Sequence, residues 1–585
     1  MKNMKQSIKT VCLLLLSMTA VSCMDLEPKA DMGDNLVWNT ADNFQLFANQ
    51  FYSWTRDFQM DAKSGTYASG VNDGVHSDYR SDLVAAASIN TYSQGTNTIQ
   101  PSDANYTTLY KRIYYTNLLL KNAASFGDAA AIAVPVAEAK FFRAYLHFEL
   151  VQIYGNVILL TRPLDLDSPE LHAPRNDRGE VIDQIITDLK EAAEALPETA
   201  SEEGRLTKYA AWAMLSRVAL YEGTWQKFHT GGSDATTNTE RSTALLTIAR
   251  DAADEVIKGG KYKLFYNNTL GSDSYRYMFI LEDGVQCNPA NVNKSANTEY
   301  ILARRHRNGD ALGTNITHGM LANACYVTRK LANMYLCSDG LPIGKSPLFK
   351  QYAGATDEFA NRDNRMKNNM LKNGDRYWDN DGKWRTAWTD ADLQNSFTAD
   401  VRSNSGYQNR KWAVERQVDD AQEAIDYPVI RYAEVLLNFA EAVYELNGSI
   451  TDAELDKSLN LVRQRINSKM PKLSNSFVEA NGLNMREEIR RERTIELVLE
   501  GFRIDDLKRW ATAPVEMPQD QLGVKVTDTW FETNWAAQSR QLNSEGCIIL
   551  YSNRVWNDKL YLYPLPSDQL QLNPQLGQNP GWENK

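Results

Sequence analysis

Three stretches of this chain repeat apolar residues at the spacing of a single helix face, and that periodicity confines the fold to helix stacking before anything else is considered. Residues 139–155 place Phe141, Ala144, Tyr145, Phe148 and Val151 on one face and stop at Gly155. Residues 181–196 do the same with Val181, Ile182, Ile185, Ile186, Leu189, Ala192, Ala193 and Leu196, and stop before Pro197. Residues 207–223 are alanine-rich on the packing side, with Ala210, Ala211, Ala213 and Met214, and are expected to end at Gly223. Small residues on a packing face let neighbouring helices approach closely. The interval from Gly155 to Gly223 is twice the ~34-residue period of tetratricopeptide repeats, which predicts stacked helical hairpins although the Trp-Leu-Gly consensus of that repeat is absent.

The rest of the chain divides around this body. Residues 1–22 carry Lys2, Lys5 and Lys9, then a short apolar run, then Ala20 and Ser22 directly before Cys23. This reads as a lipoprotein signal peptide with Cys23 as the acylated residue, since the run is far shorter than the ~20 residues a spanning helix needs. Residues 23–38 are expected to form a lipidated tether, residues 39–260 an N-terminal helical region, residues 261–425 a loop-rich lobe, and residues 426–585 a C-terminal region that completes the scaffold.

Within the first region, Thr40 and Asp42 offer a helix start ahead of Phe44, Phe47, Phe51 and Trp54 at helical spacing. Residues 61–80, rich in Asp, Ser, Gly and Asn, read as a loop. The lobe lacks a sustained helical face, and its clearest object is the stretch from Arg376 to Trp384, where Asp381-Gly382 between aromatics predicts a β-hairpin. Helix is expected again over residues 431–447 and 485–502.

The chain is acidic, with a formal net charge of −11, and has no run of Lys or Arg, so nucleic acid is disfavoured as a partner. Cys287, Cys325, Cys337 and Cys547 form no Cys-x-x-Cys pair, so a zinc knuckle has no support, and buried thiols are at least as good a reading as a disulfide. The aromatic load is heavy, with 13 Trp, 28 Tyr and 18 Phe. Broad ring faces with polar handles suit sugars.

Several segments together resemble the SusD/RagB family of outer-membrane nutrient-binding lipoproteins. The stretch Glu138 through Phe141, Phe142, Arg143 and Tyr145 to Tyr154-Gly155 is similar to one family signature, and Gly204 through Thr207, Trp212 and Arg217 to a second. Tyr427-Pro428 through Arg431, Glu434 and Glu441 resembles a third, followed by Arg490 through Glu492, Arg493, Glu496, Glu500, Gly501, Arg503, Asp505 and Trp510. The C-terminal residues Pro564, Pro566 and Gln578 to Trp582 complete the series. The resemblance implies a mostly α, tetratricopeptide-like scaffold with a loop-rich ligand-binding lobe, anchored in the outer membrane through acyl chains and facing the exterior. It further implies a protein that captures glycan and delivers it to a SusC-like TonB-dependent transporter, with no catalysis, no cofactor and no metal.

Candidate contacts are the rings and polar groups in loops rather than on helix faces. Tyr67, Tyr79, Tyr92, Tyr275, Tyr277, Trp378 and Trp384 are the expected platforms. Asp73, His76, Asp78, Arg80, Arg304 and Arg305 are the expected partners for hydroxyls or a uronate. Glu492, Glu496 and Glu500 at helical spacing read as an ion-pair network rather than an acid/base site, because Arg490, Arg491, Arg493 and Arg503 interleave them. The run Gly340 to Ser346 has the wrong glycine spacing for a phosphate loop, and Tyr377 and Trp388 occupy positions where a calcium loop needs oxygen ligands. No Gly-x-Ser-x-Gly or His-Glu-x-x-His motif occurs. A peptide ligand, or a glycosidase with unrecognised carboxylates, remain the alternatives.

Overall fold

In a computed structural model of the chain, the described residues are 38–583 apart from 59–73, 87–89, 230–237, 308–312, 318–324, 373–374, 376, 379–383, 386–404, 417, 420 and 535–540. Cys23 therefore lies outside them. Nine helices carry the argument: α1 Ala41–Asn49, α2 Ala104–Ala123, α3 Ala133–Tyr154, α4 Arg178–Ala195, α5 Lys208–Phe228, α6 Thr239–Gly259, α7 Tyr432–Asn447, α8 Met485–Leu497 and α9 Arg503–Arg509. Each of α2 to α6 packs on the next, α6 packs on α7, and α7 on α8. The result is a mostly helical stack of hairpins, with α3 buried along most of its length.

Starts are fixed by side chains that occupy orphan backbone donors: Thr40 accepts from the Asn43 N–H, Asp103 from Asn105, Thr207 from Ala210 and Asn238 from Arg241. The stop of α3 at Gly155 is steric as well as conformational. Its φ is 73°, and a Cβ there would lie 2.7 Å from Leu562 Cδ1.

α3 begins at Ala133, ahead of the expected 139, and two further helix boundaries differ from expectation, each for a packing reason. Gly223 does not end α5, which continues to Phe228. It sits instead where α6 crosses closest, so that a Cβ would meet Leu246 Cγ at 3.0 Å, and its carbonyl accepts from Ser242 Oγ at 2.7 Å. The helix over 485–502 breaks after Leu497, with Leu499 at φ 62° and Gly501 at φ 76°, before α9 resumes. Side chains from elsewhere take the freed backbone groups. Tyr275 donates to the Glu496 carbonyl, Lys411 to that of Val498, Trp412 to that of Leu499 and Tyr427 to that of Glu500, while Asp78 accepts from the Leu499 N–H.

The strands are short: β1 Val84–Ala85, β2 Tyr300–Arg304, β3 Tyr326–Val327, β4 Met370–Leu371, β5 Tyr377–Trp378, β6 Trp384–Arg385, β7 Gln408–Asn409, β8 Tyr427–Arg431, β9 Gln521–Lys525 and β10 Cys547–Tyr551. One four-stranded sheet runs β1-β3-β7-β4, and β2/β8, β5/β6 and β9/β10 form antiparallel ribbons. The hairpin read from sequence is present, with Trp378 opposite Trp384. The β2/β8 ribbon matters most for the site, because β8 runs straight into α7 and its register sets Arg304 opposite Tyr427.

The three glutamates form an ion-pair network, but with distant cations rather than the interleaved ones. Glu492 pairs with Arg365 at 2.5 Å, and Glu496 with Arg365 at 3.0 Å, with Arg431 at 2.8 Å and with Arg465. Glu500 pairs with Arg431 at 2.7 Å and Lys411 at 2.6 Å. Arg493 turns to Asp506 and Arg503 to Asp82, each at 2.8 Å. Burial alone would raise the Glu496 carboxyl, yet the guanidinium groups of Arg465, Arg431 and Arg365 outweigh it and hold it far below the usual carboxylate range. Cys287, Cys325, Cys337 and Cys547 are buried free thiols.

Candidate binding clefts

After α1 the chain tightens into a turn over Gln50–Trp54, which keeps Trp54 against Phe51, their ring centres 4.8 Å apart, and leaves it half-buried at the edge of the core. The following segment is stapled to α3. The Arg56 N–H donates to Tyr145 Oη at 2.9 Å, and its guanidinium donates to Glu149 Oε1 and Gln152 Oε1, each at 2.9 Å. Trp54, Arg56, Asp57, His76, Asn105, Thr108, Arg112, Tyr145 and Glu149 line a cleft of about 370 Å³. Arg112 of α2 lies over the Trp54 ring at 5.7 Å, and Tyr115, 6.3 Å from Trp54, leads on to Tyr114, which is 39% exposed. This is an aromatic ledge with polar groups at its edge, the combination a sugar ring requires.

A second cleft, of about 530 Å³, shares Asp57 and is walled by Tyr52, Glu202, Glu203, Arg205, Arg304, Arg305 and His306. Across Gly204 and Arg305 it adjoins a third of about 390 Å³. Its charges are internally paired: Arg304 with Asp57 at 3.1 Å, Arg305 with Glu203 at 3.0 Å and Asp426 at 3.2 Å, and Arg205 with Glu138 at 3.3 Å.

Beneath the first cleft, His76 bridges two acids, with Nδ1 2.7 Å from Asp505 Oδ2 and Nε2 3.0 Å from Glu149 Oε2. Burial and the neighbouring Arg56 oppose its protonation, but Asp505 and Glu149 prevail and raise its pKa above the ordinary histidine value. Burial likewise works against ionised Glu149, and Arg56 with His76 overcomes it, bringing the carboxyl down to about 2. Asp57 is held low in the same way, its burial outweighed by the hydrogen bond and charge of His306 and by Arg304.

Of the residues singled out in sequence, His76 lines the first cleft, and Arg304 and Arg305 wall the second. Tyr79, Tyr92, Tyr275 and Tyr277 lie in the interior, where no ring face is open to a ligand. Tyr92 Oη donates to the Leu560 carbonyl at 2.5 Å, Tyr275 Oη to that of Glu496 at 2.7 Å and Tyr277 Oη to Glu415 Oε2 at 2.7 Å, so these hydroxyls serve packing. Arg80 bonds Tyr563, and Asp78 holds the break after α8. Tyr67 and Asp73 lie outside the described residues, as do the side chains of Trp378 and Trp384. Trp54 and Arg112 were hidden in sequence by helical spacing, Trp54 because it continues the α1 stripe, Arg112 because it sits within a long helix.

Stacked helical hairpins interrupted by short ribbons, with adjoining clefts among their loops, define a helical-repeat binding scaffold. Residues 285–582 match the model of the SusD family, and residues 25–220 match a second model described as starch-binding associating with outer membrane. The chain belongs to the SusD family. A SusD-like protein from Bacteroides ovatus is 25% identical over 402 residues, covering 65% of this chain and 60% of that protein, so the aligned region spans less than two thirds of that relative. A SusD-like protein from Formosa agariphila is 30% identical over 123 residues, covering 20% of this chain and 23% of that protein. Among solved structures, a SusD-like carbohydrate-binding protein from Bacteroides fragilis superposes with a TM-score of 0.71 at 22% identity, covering 92% of this chain and 100% of that one. A laminarin-binding SusD-like protein gives 0.57 at 20% identity, covering 93% and 99%. Among the described residues no helix is long and apolar enough to cross a membrane.

Proposed function

We propose that the chain is a cell-surface glycan-binding lipoprotein, anchored through Cys23, that captures oligosaccharide and delivers it to a TonB-dependent transporter without cleaving it. The observation that carries this reading is the half-buried Trp54 ring at the mouth of a cleft edged by Asn105, Thr108 and Arg112. Relatives described as carbohydrate-binding, and one described as laminarin-binding, lend support. Binding without turnover is favoured by the state of the cleft's carboxylates. Glycoside hydrolysis needs one acid kept protonated near neutral pH, whereas Asp57 and Glu149 are both held ionised by cations.

The test is affinity electrophoresis of the full chain in native gels containing plant, host and microbial polysaccharides. Retardation by at least one polysaccharide, weakened about tenfold by Trp54→Ala, is the expected result, corresponding to ~1.4 kcal/mol. No retardation across the panel, with binding to peptides instead, would move the protein to peptide import, and release of reducing ends from a bound glycan would make it a hydrolase.

A further inference from the structure

Building on the glycan reading, we propose that the Trp54 cleft selects an acidic sugar, with the ring face on Trp54 and the oxyanion of the same residue, a uronate carboxylate or a sulfate ester, on Arg112. The argument is an imbalance of charge at the rim of an otherwise neutralised cleft. Arg56 is paired with Glu149 at 2.9 Å, and His76 is held between Asp505 and Glu149 at 2.7 and 3.0 Å. The remaining lining carboxylate, Asp57, is taken by Arg304 at 3.1 Å and His306 at 3.1 Å. Every acid of the cleft is thereby committed to another cation.

Arg112 is left over. Its guanidinium stacks 5.7 Å from the Trp54 ring centre, and no ion pair joins it to any carboxylate among the described residues. It is half-buried, so it has lost hydration without gaining a carboxylate in direct contact among the described residues. Partial burial lowers its pKa from the ordinary arginine value, with the like charge of Arg304 adding to it, and Tyr145 and the Glu149 carboxylate offset only part of this. A bound oxyanion relieves that cost, and a guanidinium accepts one in a two-pronged geometry while its flat face stays on an aromatic ring. A neutral glycan would use the Trp54 ledge and leave Arg112 uncompensated. The overall acidity of the chain does not oppose this, because charge beyond about 8 Å is largely screened at physiological salt and the local excess is positive.

The experiment compares binding of the full chain to polygalacturonate, alginate and a sulfated galactan, each beside its carboxyl-reduced or desulfated form, for wild type, Arg112→Ala, Arg112→Lys and Trp54→Ala. The expected result is that at least one acidic form binds about tenfold or more tightly than its neutralised counterpart. Arg112→Ala erases that preference, Arg112→Lys restores part of it, and Trp54→Ala weakens both forms. Preference confined to carboxyl-bearing chains assigns the uronate, and preference confined to the sulfated chain assigns the ester. Neutralised forms bound as tightly as acidic ones, or an acidic preference that survives Arg112→Ala, would overturn the proposal while leaving glycan capture intact. Failure to bind every polysaccharide, acidic or neutral, would overturn both.

Discussion

Arg431 shows how single side chains hold this molecule together. Its guanidinium touches Glu299, Glu496 and Glu500 at 2.7 to 2.8 Å, donates to the Glu496 carbonyl, and is buried. Arg365, Arg465 and Lys411 share these carboxylates, yet removing the central cation leaves a buried excess of negative charge that water cannot reach, so Arg431→Gln is expected to cost about 3–5 kcal/mol in denaturant unfolding, with incomplete folding as the extreme. The cleft floor predicts a pH dependence. Glu149 falls from its ordinary 4.5 to about 2, so its contribution is present above pH 4.5 and is lost as the pH drops toward 2. His76 has the opposite sign, its raised pKa contributing below pH 6.5 and fading as the pH climbs through the folded value. Thermal scans of Glu149→Gln should show a flatter stability profile between pH 4.5 and 2 than wild type, and an unchanged slope there would mean the pairing with Arg56 and His76 is not formed in solution.

At the scale of elements, Gly223 is the crossing point of α5 and α6. A side chain there meets both Leu246 Cγ at 3.0 Å and the Leu246 backbone N at 3.2 Å, and backbone yields less readily than a rotamer. Gly223→Val is therefore expected to destabilise by about 1–3 kcal/mol, read as a lowered midpoint in urea, with no loss of helix content by circular dichroism. The helix faces were legible in sequence because apolar spacing directly encodes which side is buried, and α4 and α7 appear within about three residues of their expected limits, while α3 ends as expected but begins at Ala133, ahead of the apolar stripe from 139. The two boundaries that were not legible depend on partners far along the chain: Leu246 for Gly223, and Asp78, Lys411 and Tyr427 for the break after Leu497. The site was less legible still. Loop aromatics such as Tyr275 and Tyr92 look available in sequence, yet their hydroxyls find buried carbonyls, and Trp54 reads as core from its spacing, whereas it packs on Phe51 and still lines the cleft, half-buried.

For the whole molecule, the helical stack, with residues 104–112 part of it, acts as a preformed frame, and paired charges tie segments 52–58, 74–77 and 303–306 around the clefts. Binding should then stabilise the frame without remodelling it, raising unfolding stability by ~2.7 kcal/mol at a hundredfold excess of glycan over Kd. Added salt should weaken an acidic ligand more than a neutral one. The central claim is that glycan is held at the Trp54 ledge, and hydrogen-exchange footprinting of the full chain with its best-binding oligosaccharide tests it most directly. The account predicts slowed exchange over residues 52–58, 74–77 and 104–112, lost in Trp54→Ala. Protection confined instead to the hairpin of β5 and β6, with those segments unchanged, would contradict it.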